Sequence, residues 1–157
     1  MENLLLTRID NRLIHGQVGV TWVNHVGANL VVVANDEVSS DKVQQDLMDM
    51  VMPESIQTRY FSIQRTIDII QKSSAKQLIF LIVRDVHDAL ALKSGGVPID
   101  KINVGNMHYE EGKEQISSTV SVDEKDKEAF RKLDELGVKL ELRRVPTEGQ
   151  QDILKLI

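Results

Sequence analysis

Short runs of continuous apolar residues alternate along this chain with stretches in which apolar residues recur every three or four positions. Leu4-Leu5-Leu6, Leu30-Val31-Val32-Val33-Ala34 and Leu78-Ile79-Phe80-Leu81-Ile82-Val83 are the continuous runs. Runs rich in β-branched residues and lacking alternation suit strands buried on both faces. Between them, Val18, Trp22 and Val26 are four apart. Val43, Leu47, Met50 and Val51 fall at i, i+4, i+7 and i+8, and Ile63, Ile67 and Ile70 at i, i+4 and i+7. Each spacing gathers apolar residues on one helix face. Helix punctuation agrees: Ser39-Ser40-Asp41 precede one stretch and Ser62 the next. Asp123 is placed to cap a helix carrying Ala129, Phe130, Leu133 and Leu136, which Gly137 would end. Beyond it Val138, Leu140 and Leu142 alternate with Lys139, Glu141 and Arg143, which predicts a strand with one wet face near a sheet edge. Strands are expected near 3–8, 29–34, 57–61, 77–83, 100–104, 118–122 and 138–143, with 57–61 and 118–122 the least clearly patterned. Strand and helix in alternation predict an α/β fold: a single domain over 1–157, with an open, mainly parallel sheet of six to seven strands and helices on both faces.

Composition narrows the function. The 157 residues hold 19 basic and 24 acidic side chains, a net charge of −5. That balance argues against a nucleic-acid surface, which needs clustered basic residues. A hydrophobic fraction of 41% and a charged fraction of 27% are ordinary for a globular chain. The absence of cysteine excludes disulfides, thiolate zinc sites and cysteine nucleophiles. No apolar run approaches the roughly 20 residues that span a bilayer. Met1-Glu2-Asn3-Leu4-Leu5-Leu6 lacks a basic start and runs into Arg8 and Asp10, unlike a signal peptide. An intracellular protein is the expectation. The sequence has no G-x-G-x-x-G after its first strand, no G-x-x-x-x-G-K-[ST] and no H-E-x-x-H, so dinucleotide, nucleoside-triphosphate and zinc-hydrolase readings lack support.

In an open α/β sheet, ligands bind beyond the carboxyl ends of the strands. Those ends carry polar residues here: Arg8, Asp10, Asn11, Arg12, His15, Gly16 and Gln17 after the first strand, Asn35-Asp36-Glu37 after the second, Arg84-Asp85 after the fourth, and Gly105-Asn106-Met107-His108 after the fifth. The first loop is the richest. An imidazole is nucleophilic near neutral pH, with a reference pKa of about 6.5. Arginines fork-bond phosphoryl oxygens, and the free amides of a helix start add an anion site. His15 is therefore a candidate phosphoryl acceptor, with Arg8 and Arg12 as cationic partners. Asp10 would orient the imidazole or hold an arginine. The structural alternative stands beside this one, because a histidine at a helix start often only caps it and loop arginines often form ion pairs. Of the other histidines, His25 shares a helix face with Trp22 and reads as packed or half-buried, His87 as exposed in a first helical turn, and His108 as sharing the rim of His15. Asp36 lies on that rim or caps the following helix.

The stretch from Arg8 to Val18, Arg8-Ile9-Asp10-Asn11-Arg12-Leu13-Ile14-His15-Gly16-Gln17-Val18, resembles the phosphohistidine loop of the IIB components of the mannose/sorbose class of the bacterial phosphoenolpyruvate-dependent sugar phosphotransferase system. Val31-Val32-Val33-Ala34-Asn35-Asp36-Glu37-Val38 resembles that family's second strand and its acidic end. Asn103-Val104-Gly105-Asn106-Met107 resembles its N-V-G-G-M loop, and Ser121-Val122-Asp123-Glu124-Lys125-Asp126 the opening of a later helix. These landmarks run in family order from residue 4 to about 146. Gly105-Asn106-Met107-His108-Tyr109 with Ile116-Ser117-Ser118-Thr119-Val120 looks most like the N-acetylgalactosamine and galactosamine branch.

The resemblance implies a cytoplasmic phosphotransferase that works through a phosphohistidine. A IIA protein or domain would deliver the phosphoryl group to His15. IIC and IID membrane components, which would hold the chain at the inner membrane face, would receive it for an incoming sugar. Arg12, Arg8 and Asp10 would serve the transfer, with Arg12 nearer the phosphoryl oxygens and Arg8 more structural. Gly16, Gln17, Asp36, Asn106, Met107 and His108 would face substrate or partner. Neither metal nor cofactor is implied. Two positions depart from the pattern. Asn11 stands where many relatives have Asp. Asn106 replaces the second glycine of N-V-G-G-M, and Asn tolerates a left-handed backbone better than most residues, which would preserve a turn there. Two other classes share these features: a regulatory α/β module that only binds partners, and an aspartyl-phosphate receiver using Asp10 or Asp36.

Overall fold

The apolar runs form the middle of a seven-stranded sheet. The computed structural model describes residues 1–157, apart from the side chains of Gln17 and Val18. Its strands are β1 (Leu4–Asp10), β2 (Leu30–Ala34), β3 (Gln57–Phe61), β4 (Ile79–Val83), β5 (Lys101–Asn106), β6 (Glu114–Gln115), β7 (Ser121–Val122), β8 (Lys139–Leu142) and β9 (Gln151–Asp152). Its helices are α1 (Gly16–Val26), α2 (Lys42–Asp49), α3 (Ile63–Ile69), α4 (Val86–Ser94) and α5 (Glu124–Glu135). The sheet order is β3-β2-β4-β1-β5-β8-β9. All pairs are parallel except β8 with β9. Every residue of β2 and β4 is buried, as their unbroken apolar sequences require.

The chain moves outward from β1 to β2 to β3, then turns back through β4, β5 and β8. Right-handed crossovers that step in opposite directions along the sheet place their helices on opposite faces. Accordingly Trp22 and Val23 of α1 and Met48 of α2 pack on one face, against Val31, Val33, Phe80 and Ile82. Residues of α3, α4 and α5 pack on the other, against Ile9, Val32, Leu81 and Val104. The expected caps are present. Asp41, Ser62 and Asp123 accept from the amides of Gln44, Arg65 and Asp126, and Asp123 with Asp126 closes a reciprocal capping box. Gly137, at φ 86°, follows α5.

Four expectations need correction. The segment 118–122 does not join the main sheet. Only Ser121 and Val122 are strand, paired antiparallel with β6 in a separate hairpin. The strand at 138–143 is wet on its polar face only at Lys139, because Glu141 is buried beside Asn103, and the two-residue β9 occupies the edge beyond it. The stripe Val43, Leu47, Met50 and Val51 runs along α2 and its end, but all four are exposed; only Met48 of α2 is buried in the core. His25 is exposed, though its ring meets the edge of Trp22 with centroids 5.7 Å apart.

Candidate functional site

Asp10 is the last residue of β1 and almost wholly buried, at 1% exposure. Its amide neighbours dictate a tight turn: the Leu13 N–H donates to the Asp10 carbonyl at 2.9 Å, and Leu13 sits at φ 60°. A positive φ at a buried leucine is strained backbone of the kind that concentrates at functional loops. The turn folds Arg12 and His15 back over the carboxylate. Arg12 donates to Asp10 Oδ1 from its amide at 3.0 Å and from Nε at 3.2 Å, and to Oδ2 from Nη2 at 3.3 Å. His15 Nε2 donates to Oδ2 at 3.0 Å. With Nε2 carrying the proton, Nδ1 keeps its lone pair. His15 is the N-cap residue of α1 and makes no side-chain cap, so the imidazole is free of that duty. The first amides of α1 have no intrahelical acceptor.

Beneath the carboxylate lies Arg8, at 3% exposure. Its Nη2 donates to Asp10 Oδ2 at 3.3 Å and to the Arg144 carbonyl at 3.1 Å. Its Nη1 donates to the Arg143 carbonyl at 3.2 Å and to Asn103 Oδ1. The guanidinium also lies 5.2 Å from the Trp22 ring centroid, as does that of Arg143 at 5.5 Å. The Trp22 indole N–H closes the network by donating to the Arg144 carbonyl at 2.8 Å. A Cβ built at Gly105 would collide with the Arg8 guanidinium, so glycine is required there by close approach. Burial draws Arg8 below the ordinary guanidinium value, countered in part by Asp10. Burial alone would push the Asp10 carboxyl up. Hydrogen bonds from His15 and Arg12 and the charge of Arg8 outweigh it and hold the group below the usual carboxylate value.

The structure thus brings Arg8, Asp10, Arg12, His15 and Gly16 together. Asn106 ends β5 beside them, its Nδ2 donating to Asn11 Oδ1 and its carbonyl accepting from the Asn11 amide. It is extended, not left-handed as the turn expectation had it. Met107 corrects the expectation of a partner-facing residue: it is buried with Val120 in the core of the opposite face. Asp36 is exposed and caps α3, accepting from the Ile63 amide at 2.8 Å. His108 is exposed and bound to Glu110 at 2.9 Å. His87 is exposed in the first turn of α4, as expected, and tied to Asp126 of α5 at 2.8 Å. The Gln17 side chain lies outside the described residues. A cleft of about 350 Å³ opens next to Arg12, with Gly105, Asn106, Thr119 and Arg144 in its walls. Thr119 lies in a segment of the resemblance that gave it no role, Arg144 carries no motif that marks it, and only the fold brings them here. No group of three or more His, Cys, Asp or Glu placed to hold a metal ion occurs among the described residues. Among the described residues, no helix is long and apolar enough to cross a membrane.

Comparison with known proteins follows the same outline. The model of the PTS system sorbose subfamily IIB component matches residues 4–157. The N-acetylgalactosamine-specific phosphotransferase enzyme IIB component 2 of Escherichia coli (strain K12) is 53% identical over 157 residues, covering 100% of both chains. Among solved structures, an N-acetylgalactosamine IIB component from Streptococcus pyogenes superposes with a TM-score of 0.94 at 46% identity, covering 99% of this chain and 98% of that one. The IIB domain of the sorbose permease from Klebsiella pneumoniae does so with 0.90 at 34% identity, over 98% and 94%. A match through residues 4–157, shared by relatives alike in sequence and fold, leaves one assignment: the chain belongs to the sorbose subfamily of IIB components and is a phosphotransferase of bacterial sugar transport.

Proposed function

We propose that this chain is a phosphocarrier that accepts a phosphoryl group on His15 from a phosphorylated IIA protein and passes it to N-acetylgalactosamine as the sugar enters through IIC and IID components. The observation that carries the proposal is the 3.0 Å hydrogen bond from His15 Nε2 to the buried Asp10 carboxylate. It supports Nδ1 as the attacking atom. Nδ1 donates its lone pair to the phosphorus of the donor's phosphohistidine, the donor's P–N bond breaks, and the electron pair returns to the donor imidazole. His15 keeps its Nε2 proton and becomes cationic as the new bond forms, and Asp10 stabilises that charge. Arg12, about half exposed and anchored on the same carboxylate, offers its remaining N–H groups to the phosphoryl oxygens. The start of α1 adds favourable amide dipoles. Such transfers depend on positioning and charge stabilisation. The sugar class rests on the N-acetylgalactosamine-specific relatives. The whole chain serves as one such IIB domain, working in the cytoplasm against the membrane partners.

The test is incubation with phosphoenolpyruvate, the general phosphotransferase proteins and an N-acetylgalactosamine-class IIA, followed by intact-mass measurement at alkaline pH. One added phosphoryl group on the wild type and none on a folded His15→Ala variant is expected. Labelling of His15→Ala at the normal rate overturns the assignment. ¹H–¹⁵N spectra of the phosphoprotein should show Nδ1 as the modified atom, and phosphorylation at Nε2 would contradict the Asp10 tautomer argument.

A further inference from the structure

The chain is acidic overall, yet four of its eight arginines, Arg8, Arg12, Arg143 and Arg144, converge at one end of the sheet. Arg8 and Arg143 are spent on Trp22 and on backbone carbonyls. Arg12 and Arg144 are different. Both stand about half exposed in the wall of the 350 Å³ cleft. Each is held through Nε and Nη2 by a single carboxylate, Asp10 for Arg12 and Glu148 for Arg144. In each, Nη1 has no hydrogen-bond partner among the described residues. In the same cleft Thr119 Oγ1 is buried and unpaired among the described residues. A buried hydroxyl without a partner is costly, by about 1–3 kcal/mol, and asks for an explanation. Two oriented cations and a spare hydroxyl donor suit one ligand chemistry, an oxyanion.

Arg12 shares the Asp10 carboxylate with His15 and serves the phosphoryl group there. Arg144 and Thr119 extend the cleft away from His15, which is not part of its wall, and suit an oxyanion brought by another molecule. We infer that this cleft is the docking pocket for an acidic side chain, Asp or Glu, of the protein that delivers the phosphoryl group to His15, gripped by Arg12, Arg144 and the Thr119 hydroxyl. The inference rests on the carrier reading given above. Charge complementarity selects the donor as occupant: a partner that brings its phosphohistidine against His15 lays its own surface over the adjoining cleft, where a carboxylate meets Arg12 and Arg144.

The test compares Arg144→Gln, Arg144→Lys and Thr119→Val with the wild type in transfer from a phosphorylated N-acetylgalactosamine-class IIA. His15 phosphorylation by phosphoramidate serves as the protein-free reference. Arg144→Gln should raise KM for the donor about tenfold or more, the loss expected for a charge-assisted hydrogen bond, with kcat within about twofold. Thr119→Val should raise KM by several-fold, and Arg144→Lys should recover part of the loss. Added salt should raise KM of the wild type more steeply than that of Arg144→Gln. Phosphoramidate labelling should be the same in all. A wild-type KM in Arg144→Gln overturns the inference. So does a fall in the phosphoramidate rate that matches the loss with the donor, since the cleft would then serve the phosphoryl group itself. Failure of both reagents to label wild-type His15 removes the carrier reading, and this inference with it.

Discussion

Asp10 does three jobs with two oxygens. It orients the His15 ring, anchors the Arg12 guanidinium and neutralises the buried Arg8. Asp10→Asn keeps the shape but its amide can donate to the imidazole, favouring the wrong tautomer. Transfer to His15 should then fall by at least about 10²-fold, comparable to losing one oxyanion donor, when initial rates are followed with a phosphorylated IIA. Stability should fall as well, because Arg8 is left without its counter-charge, by up to about 3 kcal/mol in thermal or urea unfolding. Arg12→Ala should cost about 10²-fold in rate with little loss of stability, since Arg12 stands half in solvent. Arg12→Lys should recover only part, because lysine lacks the fork. An Arg12→Ala variant that transfers at the wild-type rate would leave the cation with a structural duty alone. At this scale the sequence was informative where contacts are local. Asp10, Arg12 and His15 lie within five positions, and their chemistry is legible from spacing. Arg144 lies 136 residues after Arg8 and Thr119 sits in a polar run. Their place beside Arg12 follows only from the sheet order.

The elements differ in how fully they are held. The α1 helix buries Trp22 and Val23 against β4 and β2, whereas the apolar stripe of α2 stands in water with Leu47 54% and Met50 80% exposed. Trp22→Ala should therefore destabilise by about 3–5 kcal/mol, and it also removes the ring on which Arg8 and Arg143 lie. Leu47→Lys should change stability by no more than about 0.5 kcal/mol. Denaturant midpoints of the two variants measure the contrast. The spacing of Val43, Leu47, Met50 and Val51 predicts a helix and a helix forms. Periodicity reports that a face exists, not whether another element covers it. The strands behave similarly. Continuous apolar runs identify β2 and β4, buried on both faces. The alternation in 138–143 misleads because Glu141 finds partners on the neighbouring strand, an amide donor in Asn103 and a counter-charge in Lys101, which let a carboxylate be buried. At Gly105 the motif resemblance has a physical content, the approach of Arg8 to the backbone of β5. Gly105→Ala should cost about 1–3 kcal/mol through overpacking. It should also slow phosphoryl transfer, because Arg8 cannot move without disturbing Asp10.

Across the whole molecule, the carboxyl-end rim of the sheet is split in charge. Arg12 lies beyond β1 and Arg143 and Arg144 beyond β8, while Asp36, Glu37, Asp85 and Asp88 gather beyond β2 and β4 with Arg84 as their one arginine. The two sides respond to acid in opposite senses. Burial, with the charges of Asp85 and Asp36, raises the Asp88 carboxyl to about 6. A carboxyl raised on folding adds stability in full below its unfolded value of about 3.9. That contribution is lost as pH rises through the folded value, so Asp88 opposes folding above about pH 6. Asp10 is lowered on folding. Its contribution is present above about pH 4 and is lost as pH falls through its folded value. Their combined contribution is greatest near pH 4, where Asp10 has gained its share and Asp88 has not yet lost its own, and it declines towards about pH 6. Asp88→Asn should remove the decline between about pH 4 and pH 6. It should raise stability at pH 7.5 by on the order of 1 kcal/mol, a figure reduced for solvent screening at this partly exposed site, and leave the acid limb set by Asp10 in place. Thermal unfolding of wild type, Asp88→Asn and Asp10→Asn from pH 3 to pH 8 separates the two limbs. A wild-type curve that climbs steadily to pH 8, or an Asp88→Asn variant that parallels it throughout, would show that the acidic side of the rim is fully solvated and carries no such cost.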